Sequence, residues 1–320
     1  MTLRACHSPA LQCVLAGFLA GLGCSAPSPD ASYEELTFIQ ADQDAVDLLW
    51  VVDNSSSFMA FAQDRLATAV PRLIPALEGM DVQMAVVTTT LDKSLYPHPF
   101  TGSDTDVAWL VEELQVGSEG SDQEQGLQAA ANAVAPDWGF VRPDAHLVIV
   151  FISDEEDCSN GGRLTTPVGS ACYTSSDRLL PIDDFVDLFM DLHDGQLNRA
   201  TAIAIGATQS SVCLGGFSQE RYARVARATG GPVLDICAVD YGAHMDVIGQ
   251  NAAGIRQALR LPDPAIEPSI EVRVDSKLSG SFDYRPHTWL VQFTPDAIPA
   301  EGATVRLFYQ IDPTLFGIEP

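Results

Sequence analysis

Two short apolar segments constrain the fold of this chain more than any other feature, because each is followed directly by an acidic residue. Residues 48–52 precede Asp53, and residues 147–152 precede the pair Ser153-Asp154. Apolar segments of this length are too short for typical helices and indicate strands that are buried on both faces. We therefore expect both strands to lie inside a parallel sheet, with a carboxylate at the carboxyl end of each.

Strand-like and helix-like segments alternate from about residue 44 to residue 262. The further strands are predicted at 84–89, 202–206 and 233–236, and the helices at 122–133, 182–192, 219–229 and 245–259. Strands separated by helices predict right-handed crossover connections. The sequence therefore predicts an α/β domain with a doubly wound, mostly parallel sheet flanked by helices.

The pattern changes after residue 262. Residues 270–274, 289–293 and 305–309 alternate between apolar and polar side chains, with turn residues between them. This alternation is typical of half-buried strands. We expect residues 263–320 to form a small, C-terminal antiparallel β appendage.

The N-terminal segment has the features of a signal peptide. Arg4 is followed by an apolar stretch over 11–22, which is too short to span a bilayer. The sequence Gly-Leu-Gly-Cys, which ends at Cys24, resembles a bacterial lipobox, in which the cysteine carries the lipid. We expect a signal peptide over 1–24 and a tether over 25–43. The protein would then be an outer-membrane or cell-surface lipoprotein, or periplasmic or secreted if cleavage leaves Cys24 without a lipid.

Four cysteines follow the predicted tether: Cys158, Cys172, Cys213 and Cys237. An even number agrees with export to an oxidising compartment. Of the three possible pairings we expect the one that closes local loops, Cys158–Cys172 and Cys213–Cys237. A zinc site is disfavoured, because no CxxC pair is present.

The net charge is −26, with 17 Lys and Arg against 43 Asp and Glu. Such a surface repels phosphate backbones, so nucleic-acid binding is not expected. It attracts divalent cations and basic partners. The alternative is that the acidity only keeps an exported protein soluble.

The residues after the two buried strands have the composition of a divalent-cation site. Asp53, Ser55 and Ser57 alternate on one loop, and Asp154 follows the other strand. Ligands bind at the carboxyl ends of parallel strands. Oxygen ligands without His or Cys favour Mg²⁺, with Ca²⁺ or Mn²⁺ as variants. Alternatively, Asp53 and Ser55 only cap the next helix.

The motif Asp-x-Ser-x-Ser after a buried strand resembles the von Willebrand factor A domain and its metal-ion-dependent adhesion site, over residues 44–262. Ser121 lies six residues before Leu127, where that family usually has Thr; Ser118 is an alternative. The resemblance implies a shell completed by a carboxylate of a protein partner. It implies as metal ligands Asp53, Ser55, Ser57, Ser121 and Asp154.

Two further stretches, 152–159 and the run from Glu124 to Leu127, are similar to a subgroup of bacterial surface lipoproteins. The acidic run Glu155, Glu156 and Asp157 could form a rim or hold a second cation, or be a solvated loop. Residues 159–176 could be a specificity loop beside the metal or a surface insertion.

The expected function is a cation-dependent adhesion or protein-binding module at the cell envelope, with membrane contact only through the lipid anchor. It is not expected to be an enzyme, because the chain has no HExxH, GxSxG or P-loop motif. The alternatives are an envelope scaffold with a stabilising cation and a metal-assisted hydrolase.

Overall fold

The computed structural model describes residues 33–40, 43–91, 95–164, 170–193, 198–207, 213 and 219–314, without the side chain of Ser57. These described residues belong to one compact unit. The predicted signal peptide over 1–24, the lipid site at Cys24 and the first part of the tether lie outside the described residues. Within the described residues, no helix has the length and apolar character needed to cross a membrane.

The described residues form thirteen strands and eight helices. The strands are β1 Tyr33–Ile39, β2 Ala45–Val52, β3 Asp81–Thr88, β4 His98–Phe100, β5 His146–Ile152, β6 Ala200–Gly206, β7 Val233–Asp235, β8 Ala258–Arg260, β9 Glu271–Val274, β10 Lys277–Ser279, β11 Phe282–Arg285, β12 Leu290–Phe293 and β13 Thr304–Gln310. The helices are α1 Ser57–Ala69, α2 Ile74–Leu77, α3 Asp104–Glu113, α4 Gly126–Ala133, α5 Ser170–Thr174, α6 Ile182–Asp191, α7 Glu220–Ala228 and α8 Tyr241–Ala252.

Six strands form the main sheet in the order β4-β3-β2-β5-β6-β7. All neighbours are parallel except the edge pair β3–β4. In the centre, Val52 of β2 is paired with Ile152 of β5. The residues that follow these two strands are therefore neighbours at one edge of the sheet. The predicted mostly parallel α/β fold is confirmed.

Helices cover both faces of this sheet, which explains the uninterrupted apolar strands. In β2, Leu48 and Trp50 pack in a core with side chains of α1, α3 and α8. Leu49 and Val51 point to the other face and pack with α4, α6 and α7. Because successive strand residues face opposite sides, a strand covered on both sides needs apolar residues at every position.

The predicted C-terminal β appendage is also confirmed, and it contains two antiparallel sheets. Their strand orders are β1-β13-β9-β10 and β11-β12-β8. Strand β1 lies inside the range for which the sequence predicts a tether, so residues 33–39 belong to the folded unit.

The helix predicted over 245–259 is wrong at its C-terminal end. Helix α8 stops at Ala252, and Gly254 follows it with a φ of 80°. A glycine in this left-handed conformation is a common helix terminator. Leu259 lies instead in β8, which pairs with β12.

Candidate metal centre

The ends of β2 and β5 are joined through Asp53, which is completely buried. Its backbone N–H donates to the carbonyl of Ile152 at 2.9 Å. The Ser55 backbone N–H donates to Oδ1 of Asp53 at 2.7 Å, and the Ser153 hydroxyl donates to Oδ2 at 2.6 Å. Burial raises the pKa of Asp53, while these hydrogen bonds oppose the rise. Both carboxylate oxygens thus have fixed directions.

Helix capping does not account for Asp53 and Ser55. The N-cap of α1 is Ser56, whose Oγ accepts from the Met59 backbone N–H at 3.4 Å. The Ser55 hydroxyl is buried beside the carboxylates of Asp53 and Glu124 and has no hydrogen-bond partner in good geometry. The side chain of Ser57 lies outside the described part of the chain.

Asp154 and Glu155 extend the acidic character of the same edge. Oδ1 of Asp154 is buried and makes no hydrogen bond. Burial and the negative charge of Asp53 raise the pKa of Asp154 to about 6. Burial together with the charges of Asp154 and Asp53 raises the pKa of Glu155 to about 7. The carboxylates therefore repel one another in the absence of a cation.

Glu124 is a site residue that the sequence did not identify as a ligand. It is fully buried, and neither carboxylate oxygen has a hydrogen-bond donor in good geometry, although the hydroxyls of Thr89 and Ser55 lie beside it. Burial, followed by the charge of Asp53, raises the pKa of Glu124 to about 9. The only sequence signal was its place in the run from Glu124 to Leu127, which marks the start of α4. That short sequence does not indicate that the Glu124 carboxylate is buried.

The loop before α4 contacts the Asp53 loop through Gly120. The Gly120 backbone N–H donates to the carbonyl of Asn54 at 2.7 Å, and a Cβ at Gly120 would overlap the Asn54 side chain. Ser121, the predicted ligand, is exposed, and its Oγ accepts from the Gln123 backbone N–H at 3.1 Å. Ser118, the alternative, is half-buried. The structure therefore brings the loop to the site, with the Ser121 hydroxyl engaged in a local turn.

Glu156 holds the start of a helix and does not form a rim. Its carboxylate accepts from the backbone N–H groups of Glu220 and Arg221, both at 2.9 Å, at the N-terminus of α7. Acceptors at this position satisfy N–H groups that have no partner inside the helix.

Asp157 is also engaged by the protein itself. Its Oδ1 accepts from the Leu127 backbone N–H in α4 at 3.0 Å, and its Oδ2 accepts from Nε of Arg221 at 3.0 Å. The acidic run is therefore divided. Glu155 belongs to the acidic edge, whereas Glu156 and Asp157 position α7 and α4.

Both expected disulfides are present, Cys158–Cys172 and Cys213–Cys237. The predicted local pairing is confirmed. The backbone N–H of Cys158 also donates to the carbonyl of Glu124. The first disulfide therefore anchors the segment after β5 next to the loop before α4.

The donor set of this edge suits a hard cation. Buried oxygens without hydrogen bonds come from Ser55, Thr89, Glu124 and Asp154. Among the described residues, no Lys or Arg is a main cause of the pKa values of these acidic residues. No three His, Cys, Asp or Glu side chains within the described ranges are arranged to hold a metal by themselves. A cation here would therefore be bound by carboxylate and hydroxyl oxygens together.

No protein-family model matches the chain, and no curated protein matches it. Solved structures do. A von Willebrand factor type A structure from Catenulispora acidiphila is 13% identical, with a TM-score of 0.41; the match covers 91% of this chain and 67% of that one. A structure of proximal thread matrix protein 1 from the mussel byssus, with a zinc-occupied MIDAS motif, is 16% identical, with a TM-score of 0.41.

The match to that mussel structure covers 68% of this chain and 48% of the other, so this chain spans about half of its length. The pilus adhesin SpaC from Lactobacillus rhamnosus GG is 11% identical, with a TM-score of 0.43 and coverage of 89% and 42%. Because these TM-scores are low, the architecture of this chain follows from its own strand order and not from these matches.

Proposed function

We propose that the protein is a divalent-cation-dependent binding module whose Mg²⁺-type site accepts a carboxylate of a protein partner. The observation that carries this proposal is the set of buried, unpaired oxygens at the joined ends of β2 and β5, above all Ser55 Oγ and Asp154 Oδ1. A buried polar atom without a partner costs free energy, and a bound cation removes that cost.

Asp53, Ser55, Ser57 and Asp154 are the proposed ligands, with Ca²⁺ or Mn²⁺ able to replace Mg²⁺. The repulsion among Asp53, Asp154 and Glu155 favours a cation over a neutral ligand. A partner carboxylate needs the cation, because the chain carries a net charge of −26 and would otherwise repel it.

Display outside the cell is part of the proposal. Two disulfides agree with an oxidising compartment. We propose that Cys24 carries the lipid and that the partner is reached from the envelope surface. A periplasmic or secreted form follows if Cys24 is only a cleavage site.

The proposal is tested by immobilising the wild-type protein and Asp53→Ala, and by passing envelope extract from the producing organism over both. We expect one or more proteins to be retained by the wild type in Mg²⁺, released by EDTA and absent from Asp53→Ala. Retention by both proteins in EDTA would contradict the proposal.

A stabilising role of the cation within an envelope scaffold is the alternative outcome. In that case Mg²⁺ would raise the melting temperature of the wild type but leave the set of captured proteins unchanged. Circular dichroism of Asp53→Ala provides the control that its fold is intact.

A further inference from the structure

The backbone on either side of Glu124 is held by hydrogen bonds to the segments that follow β5 and β3. The Cys158 backbone N–H, after β5, donates to the carbonyl of Glu124. On its other side, the backbone N–H of Gln125 donates to the carbonyl of Thr89, after β3, at 2.9 Å. The backbone of Glu124 is therefore fixed from two strand ends, which restricts where its side chain can go.

The Glu124 side chain lies among oxygen donors that also have no partner. It is 0% exposed, and both of its carboxylate oxygens are buried without a hydrogen bond. Thr89 Oγ1 and Ser55 Oγ, which come from two other loops, are buried and unpaired as well. These oxygens come from three loops and lie together at one edge of the sheet, which is the arrangement that a cation site requires.

Ser121 does not offer the same chemistry. Its residue is exposed, and its hydroxyl accepts a hydrogen bond from the Gln123 backbone N–H two residues later. Such a turn is a common local use of serine and needs no ligand. The fully buried oxygen ligand on this loop is thus the carboxylate of Glu124, three residues after Ser121.

We propose that Glu124, rather than Ser121, provides the metal ligand from the loop before α4. This inference rests on the proposed cation site. The Glu124 carboxylate lies beside Asp53 and Ser55, and as a ligand it makes the site more negative than the Ser121 hydroxyl would. A carboxylate oxygen is a ligand that a small, hard divalent cation prefers, and the Thr89 hydroxyl lies close enough to orient the Glu124 carboxylate.

Mg²⁺ titration calorimetry on four proteins tests the inference: the wild type, Glu124→Gln, Glu155→Gln and Ser121→Ala. Glu124→Gln and Glu155→Gln each replace one carboxyl group of the same acidic edge with an amide and keep the size of the side chain. The comparison between them separates loss of a ligand from loss of charge. Melting temperatures in EDTA show whether each variant is folded.

We expect Glu124→Gln to bind Mg²⁺ at least about tenfold more weakly than Glu155→Gln, and Ser121→Ala to bind like the wild type. Glu124→Gln should melt at or above the wild-type temperature in EDTA, because it replaces a buried acidic group beside Asp53 with an uncharged amide. Equal losses in the two glutamine variants, or a loss only in Ser121→Ala, would overturn the inference. No binding by the wild type would instead overturn the proposed cation site itself.

Discussion

The hydroxyl of Ser153 donates a hydrogen bond to Oδ2 of Asp53 at 2.6 Å, although the two residues are 100 positions apart in the chain. The two residues follow β5 and β2, whose last residues are paired. This contact fixes the orientation of the central carboxylate, since the Ser55 backbone N–H holds the other oxygen. Ser153 is therefore a positioning residue for the proposed ligand Asp53.

Replacing Ser153 with Ala should weaken Mg²⁺ binding without unfolding the protein. The change removes one hydrogen bond to a carboxylate, which is worth about 1.5–3 kcal/mol, and we expect an affinity loss of roughly tenfold. Isothermal titration calorimetry measures it. Ser279→Ala, in β10 of a different sheet, is the matched control. Equal affinities for both variants would show that the contact does not orient Asp53.

The stability of the metal-free protein should fall as the pH rises. Asp154, Glu155 and Glu124 have folded-state pKa values of about 6, 7 and 9. Unfolded carboxyl groups titrate near pH 4. Between these values the three carboxyl groups bind more protons in the folded state than in the unfolded state, and together they outweigh buried His146, whose pKa is lowered to about 3 and acts in the opposite direction. The free energy of unfolding therefore decreases with pH.

This pH dependence is checked by thermal melting at about pH 5 and pH 8. In EDTA we expect the melting temperature to be about 5 °C lower at the higher pH, and Glu124→Gln to reduce that difference. Mg²⁺ should stabilise the protein more at pH 8, because protons compete with the cation for the carboxylates. A melting temperature that rises with pH in EDTA would contradict the raised pKa values.

Asp157→Asn should destabilise the fold. The change breaks the ion pair with Arg221, in which the carboxylate is fully buried. Breaking a buried pair costs about 3 kcal/mol. Asp183→Asn is the control, since its pair with Arg224 is 3.8 Å long and exposed and should contribute less than about 1 kcal/mol. Urea unfolding measures both, and similar midpoints for the two variants would contradict a structural role of Asp157.

Loss of the Cys158–Cys172 disulfide should lower stability by about 3 kcal/mol, as expected for a closed loop of this length. The two cysteines are 14 residues apart. The double variant Cys158→Ser, Cys172→Ser is compared with the wild type by chemical denaturation under non-reducing conditions. An unchanged midpoint would mean that the bond does not restrain the segment after β5.

Much of the fold could be predicted from the sequence because the central strands are apolar at every position. Residues 48–52 and 147–152 lie inside β2 and β5 as expected. The edge strand β4 and helix α3 were not predicted. Strand β4 has only three residues, which is too short to show an alternating pattern, and it contains Pro99, which is rare inside strands. Strand β1 was missed because its partner β13 is far away in the sequence.

The site was predictable only in part, for a related reason. Asp53, Ser55 and Asp154 follow predicted strands, so their position could be inferred from local sequence. The roles of Glu156 and Asp157 could not, because they depend on the helix termini of α7 and α4, which tertiary packing brings to them. The burial of Glu124 likewise results from loops that meet only in the folded chain.

Direct measurement of Mg²⁺ binding to the wild type and to Asp53→Asn by isothermal titration calorimetry at about pH 7.5 tests the central claim. The proposed site predicts one Mg²⁺ per wild-type chain. It also predicts that the signal is lost or at least about tenfold weaker in Asp53→Asn, which keeps the shape of the side chain. Equal binding by the two proteins, or none by the wild type, would contradict a cation site at the ends of β2 and β5.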